Sequence, residues 1–202
     1  MMLVSGATKT VRRLQGHPNL GVLLVPNNGN APIADLPWAL DNGAFSGLDE
    51  AAFRRLLAKH AHVADRALWV TCPDVVSDHD ATLAKFRHWA PEIAALGYPL
   101  AFAAQNGLTM ANIESVPWDQ IACIFIGGDD DYKLGSRWLI AEARRRGKLV
   151  HVGRVNSLKR LRWAHDAGAD SVDGTSVSMF ADRWLPPFLR FIGNLGAQQQ
   201  LF

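Results

Sequence analysis

At 202 residues, 49% of them hydrophobic, the chain has the size of one domain with one sizeable core. Charged residues make up 20%, which excludes a charge-rich disordered chain, and a net charge of +2 is too small to establish a polyanionic partner. No stretch reaches the roughly 18 apolar residues of a membrane span and no secretory leader is recognisable, so a cytoplasmic protein (host cytoplasm if phage-encoded) without membrane contact is expected.

Short runs that are apolar on both faces alternate with helical patterns. Leu3–Gly6 and Gly21–Pro26 read as strands, and Asn27–Pro37, rich in Asn, Gly and Pro, as a loop. Trp38–Gly43 is the next strand, followed by a helix over Asp49–His62 with Asp49 as its N-cap. Leu68–Asp74 then leads into a helix over Asp78–Leu96 that Gly97 ends, and Pro99–Gln105 follows as a strand. Helix is expected to be short or missing near the first strands and around Leu108–Pro117. Ile121–Gly128, a helix over Tyr132–Arg146 ended by Gly147, and Lys148–Arg154 continue the alternation. Ser157 caps a helix to Ala167, Gly168 ends it, and Ser171–Thr175 is the last strand; the Gln198–Gln200 tail is expected to fray. The alternation predicts a compact (β/α)8 barrel as a single domain over residues 1–202, with an open doubly wound sheet as the competing architecture.

Chemistry in such a barrel gathers at the C-terminal ends of the strands. Those ends carry Asp41-Asn42-Gly43, Pro73-Asp74, Gln105-Asn106-Gly107, Gly127-Gly128 and Asp173-Gly174-Thr175-Ser176. Any one of these could be turn chemistry; together on one rim they indicate a site. Carboxylates sharing a pocket can divide into a nucleophile and an acid/base, as in glycosyl transfer. The seven histidines form no HExxH pair. His60 and His62 point to different faces of their helix, while His79, His88 and His165 read as helix surface. His151 lies within a strand, facing either the pocket or the packing. Cys72 and Cys123 read as reduced core thiols, so neither a metal site nor a cofactor is expected.

In order, these motifs resemble the queuine/tRNA-guanine transglycosylase superfamily, and more closely its short DpdA-type DNA deazaguanine transglycosylases. Asp41-Asn42-Gly43-Ala44-Phe45 is similar to the family's Asp-Ser-Gly-Gly-Phe/Tyr segment, and Ala104-Gln105-Asn106-Gly107 to its Gln-Gly-Gly stretch. Phe125-Ile126-Gly127-Gly128 resembles its glycine pair. His151-Val152-Gly153 with Ala167–Asp173 resembles the segment that ends in the nucleophilic aspartate. The family's cysteine-rich zinc subdomain is missing, which disfavours tRNA, and the sequence after Asp173 departs from the family's continuation.

The resemblance implies that Asp173 attacks C1′ and expels guanine, with Asp41 as general acid/base. It implies further that Phe45 stacks on the base, that Asp74, Gln105, Gly127 and Gly128 read the base edge, and that Val152 and Gly153 complete the substrate-binding set. A free 7-deazaguanine would then replace the guanine, with DNA as the polymer. Arg154, Lys133, Lys159 and Arg160 are candidate phosphate contacts, within a basic region that includes Arg144-Arg145-Arg146 and Lys148. Two other readings stay open: a barrel hydrolase or isomerase acting on a small sugar, and a non-catalytic nucleic-acid-binding barrel. A homodimer or a partner subunit is equally open.

Overall fold

The structure, a computed structural model, describes residues 1–28 and 30–199, without the side chains of 196–199. It is a closed barrel of parallel strands in sequential order. The chain runs β1 (Met2–Val4), α1 (Thr8–Arg13), β2 (Leu20–Leu24), β3 (Trp38–Leu40), α2 (Glu50–His60) and β4 (Val70–Thr71). It continues with α3 (His79–Ala95), β5 (Leu100–Ala104), β6 (Cys123–Ile126), α4 (Asp130–Gly135), α5 (Arg137–Arg145) and β7 (Leu149–Val152). The last elements are α6 (Leu158–Ala167), β8 (Ser171–Val172), α7 (Thr175–Met179) and α8 (Ala181–Gln199). Met2 pairs with both Leu20 and Val172, so the first strand closes the ring and the open doubly wound sheet is excluded.

Alternation along the strands divides the core. Leu3, Leu23, Ala39, Trp69, Ala101 and Cys123 fill the barrel interior, while Val4, Val22, Leu24, Leu40 and Val70 face the helical coat. Cys72 and Cys123 are both buried and unpaired, and burial pushes both thiols up from their ordinary range. The coat is thin where the sequence implied it would be. Among the described residues no helix lies between β2 and β3, and Met110–Ser115 and Trp118–Gln120 are 3-10 turns.

Several boundaries are set by side chains legible in the sequence. Asp49 accepts from the Ala52 amide at 2.9 Å and Ser157 from the Arg160 amide at 3.2 Å, which caps α2 and α6. Gly168 takes the left-handed conformation that ends α6, with φ 95°. Other expectations need correction. The Tyr132–Arg146 pattern is two helices: Asp129 caps α4, Ser136 Oγ donates back to the Tyr132 carbonyl, and the chain turns before α5. The strands are shorter than their apolar runs, several of them at both ends. The C-terminal segment is not a frayed tail up to Gln199 but the long helix α8, anchored by buried Leu185, Phe188 and Leu189; Gln200 lies outside the described residues. His79 is buried rather than exposed, because it starts α3 against Phe102 and Ser115.

Candidate active site

The C-terminal ends of the strands open into a cavity of about 580 Å³, within the usual range for a small-ligand site. Asp41, Phe45, Asp74, Gln105, Gly127, Gly128, Gly153, Arg154 and Asp173 all line it, together with Lys133. The ends of β3, β4, β5, β6, β7 and β8 therefore deliver the expected residues to one rim. Val152 is the exception: it packs into the core between sheet and helices, because side chains alternate along β7.

Asp74 is clamped. Asn42 Nδ2 donates to its Oδ1 at 2.7 Å and Gln105 Nε2 to its Oδ2 at 2.6 Å. Asn42 is 1% exposed, and its remaining contacts, to the Cys72 carbonyl and from the Ala44 amide, lock it between two loops. Burial raises the Asp74 pKa above the ordinary carboxylate range, opposed by these two donors. Asn42 stood beside Asp41 in the sequence, but nothing in its spacing distinguished it from a turn residue.

The glycine pair works differently from the expectation that its amides read a base. The Gly127 amide donates to the Ala104 carbonyl, and the Gly128 amide donates to Gln105 Oε1 at 2.7 Å. A Cβ on Gly127 would meet Gln105 Nε2 at 2.6 Å. The glycines make room for Gln105, which in turn aims Asp74.

Asp173 sits at the end of β8 with its two oxygens in different surroundings. Oδ1 accepts from the Arg154 amide at 2.8 Å and lies 3.3 Å from His151 Nε2. Among the described residues, Oδ2 has no hydrogen-bond partner, and the carboxylate faces the cavity. His151 itself is fully buried, hydrogen-bonded to Ser171 through Nδ1 and tilted against Trp69 and Phe125 at ring separations of 4.8 and 4.7 Å. Burial lowers the His151 pKa, partly offset by its contact with Asp173. Of the two readings of His151 the packed one holds: it does not line the cavity and reaches it only through Asp173. The residue after Asp173 must be glycine, since a Cβ on Gly174 would stand 2.5 Å from the Val155 carbonyl.

Asp41 has the most perturbed carboxyl of the site. Burial raises its pKa to about 7, and repulsion from Asp74 and Asp173 adds to the shift. A carboxyl that exchanges its proton near neutrality suits a general acid/base. Thr71 contributes a further polar group: its hydroxyl is buried, lacks a partner among the described residues, and belongs to the cavity wall.

The basic residues are arranged otherwise than their sequence positions suggested. Arg144, Arg145, Arg146 and Lys148 lie where α5 returns to the start of β7, at the barrel end opposite the cavity. Arg145 and Arg146 pair there with Glu142, and Arg146 also with Glu114. Arg160 pairs with Asp130. Lys133 is buried, not a surface phosphate contact. Arg154 donates to the Gly128 carbonyl at 2.7 Å and lies 4.2 Å over the Phe45 ring, so the exposed Phe45 meets a guanidinium at the cavity mouth. Lys159, exposed in the first turn of α6, remains at the rim. Among the described residues no group of three His, Cys, Asp or Glu is arranged to hold a metal ion, and no helix is long and apolar enough to cross a membrane.

No protein-family model and no curated protein matches the chain. Solved structures do. The HpcH/HpaI aldolase of Desulfitobacterium hafniense matches with a TM-score of 0.51 at 10% identity, over 89% of this chain and 87% of that one. A structure described as native KDPGal matches with a TM-score of 0.53 at 9% identity, over 87% and 81%. The EAL-domain protein YkuI of Bacillus subtilis, in complex with c-di-GMP and calcium, gives a TM-score of 0.46 at 14% identity over 84% of this chain. This chain spans 47% of the YkuI chain's length. At such identities the likeness is one of fold: the protein is a compact (β/α)8 barrel.

Proposed function

We propose that the cavity is the active site of an enzyme that breaks and remakes a glycosidic bond by double displacement. The observation that carries this reading is the unequal treatment of three neighbouring carboxyls. Asp173 is held by one oxygen and presents the other, as a nucleophile needs. Asp41 holds a proton up to about pH 7 and lines the same cavity, so it can pass that proton to a leaving group. Asp74 is locked by Asn42 and Gln105, as a group that reads a substrate edge should be. In the first half-reaction Asp173 attacks the sugar carbon while Asp41 gives its proton to the departing base. In the second, Asp41 takes a proton from the incoming base, which displaces the carboxylate.

The resemblance of the strand-end motifs makes guanine the departing base, a 7-deazaguanine the incoming one and DNA the polymer. The transfer of labelled guanine into DNA tests this directly. Label in the polymer supports base exchange, and its absence with intact protein defeats it.

A second reading has an observation of its own. The densest basic run is at the far end of the barrel, and Arg154 and Arg160 are engaged by protein groups. A small glycoside with no phosphate chain would suit such a mouth, using the same aspartates. Release of reducing sugar from small glycosides, without incorporation into DNA, would favour that alternative.

A further inference from the structure

One buried cation has no part in the chemistry above. Lys133 of α4 is 6% exposed, and its Nζ donates to the Gly153 carbonyl at 2.9 Å. That carbonyl belongs to the same peptide unit as the Arg154 N–H, which donates to Asp173 Oδ1 at 2.8 Å. In a trans peptide the C=O and N–H point in opposite directions. The unit is therefore gripped at both ends, by an ammonium on one side and a carboxylate on the other. Charged partners strengthen both hydrogen bonds, and each polarises the other through the amide.

The grip acts on a strained backbone. Arg154 has φ 61°, in the left-handed region that residues other than glycine resist. Nothing in its side-chain contacts, to Gly128 and Phe45, requires that conformation. What it achieves is to turn the Arg154 N–H onto Asp173.

We propose that Lys133 is a positioning residue for Asp173: its ammonium holds the Gly153–Arg154 peptide in the strained form that captures one carboxylate oxygen and leaves the other to the substrate. Burial agrees with this cost being met for a purpose. It lowers the Lys133 pKa to about 8, with Arg154 and Arg160 adding repulsion and Asp173 and Asp130 opposing it. The kinetic consequence rests on the nucleophilic role assigned to Asp173; the geometric one does not.

Two measurements on the whole protein decide it. In ¹H–¹⁵N spectra, the Arg154 amide proton of the native protein should be deshielded, and should move upfield both in Lys133→Met and in Asp173→Asn. An unmoved Arg154 signal in Lys133→Met overturns the proposal. Should Lys133→Met not fold, the native protein suffices: titration from pH 7 to 9.5 should shift the Arg154 amide with a midpoint near 8, and a flat response overturns it. If glycosyl transfer is observed, Lys133→Met should lower kcat by about 10- to 100-fold with KM little changed, the scale of a misplaced reacting group. That loss should shrink in an Arg154→Gly background, because glycine takes positive φ without strain. An equal loss in both backgrounds, or one confined to KM, would make Lys133 a substrate contact instead. If no transfer occurs at all, the spectra still test the geometry, so the two readings fail separately.

Discussion

Gln105 and Asp74 fix each other's orientation: Gln105 Oε1 accepts from the Ser77 and Gly128 amides at 2.9 and 2.7 Å, so its Nε2 must face Asp74 Oδ2, 2.6 Å away. A flipped amide would set oxygen against oxygen and leave two N–H groups without an acceptor. Gln105→Glu imposes the first of these faults permanently. We expect it to destabilise the fold by about 1–3 kcal/mol, the usual cost of leaving a buried polar group without its partner. The loss should be larger at pH 8 than at pH 5, because both carboxyls then ionise against each other. Denaturant melts at the two pH values check this; equal losses would mean that the contact contributes little.

Asp74→Asn should alter selection more than rate. It replaces an acceptor-only group with one that also donates. Competition between guanine and a base lacking the matching donors, followed by incorporation, should show the variant discriminating less. Unchanged discrimination would place base reading elsewhere, with the unpartnered Thr71 hydroxyl next in line.

Asp173→Asn should abolish both turnover and any covalent adduct, since an amide cannot form the glycosyl ester. Denaturing gels of protein incubated with labelled substrate provide the measurement. An adduct that survives in this variant would move the nucleophile, and Asp41 would be the first residue to examine.

Asp41→Asn should slow transfer by about 10²–10⁴-fold, the usual worth of a general acid/base. It should also stabilise the protein at alkaline pH. The folded carboxyl titrates near 7, above its unfolded value of about 3.9, so native stability is full below pH 4 and declines as pH rises towards 7. Removing the charge removes that decline, an effect of up to about 4 kcal/mol from the size of the shift. Thermal melts of the two proteins should therefore coincide near pH 4 and diverge by pH 8, with the variant higher. A variant that melts lower at pH 8 would show that the native carboxylate is already well stabilised.

The position of the basic residues gives a test of polymer binding. Lys159→Gln, at the rim, should weaken DNA binding and reduce the salt slope by about one, as loss of one phosphate contact does. Arg145→Gln, at the other end of the barrel, should change neither. If neither substitution alters the salt dependence, the small-glycoside reading gains. DNA should also be preferred to tRNA under matched salt, and faster labelling of tRNA would reverse that choice.

The barrel was legible because its strands are buried on both faces, and period and length then agree on the architecture. The rim was legible because Asp41, Asp74, Gln105 and Asp173 each close an apolar run. What these residues do to one another was not. Asn42 looks like a turn-maker in the sequence and Gly127 like a base-reading amide, and their service to Asp74 appears only when loops distant along the chain meet. Lys133 follows an acidic run and reads as a surface charge until α4 turns it inward. The break between α4 and α5 hides inside a continuous helical pattern. Helix α8 was obscured by Pro186 and Pro187, which argue against a helix but are carried within this one, where buried Leu185, Phe188 and Leu189 favour it.

The tilted contact of Trp69 with His151 beneath the cavity gives the barrel an internal optical probe. Trp69 is 1% exposed, so solvent quenchers added from outside have little access to it, whereas a change in the imidazole 4.8 Å away acts on it directly. His151 also touches Asp173, so anything that protonates, esterifies or displaces that carboxylate alters the field at the indole. The difference in emission between the native protein and Trp69→Phe isolates this one chromophore from the other tryptophans. Changes at Asp173 should thus be followed in real time, in unlabelled protein, with any candidate substrate in the cuvette.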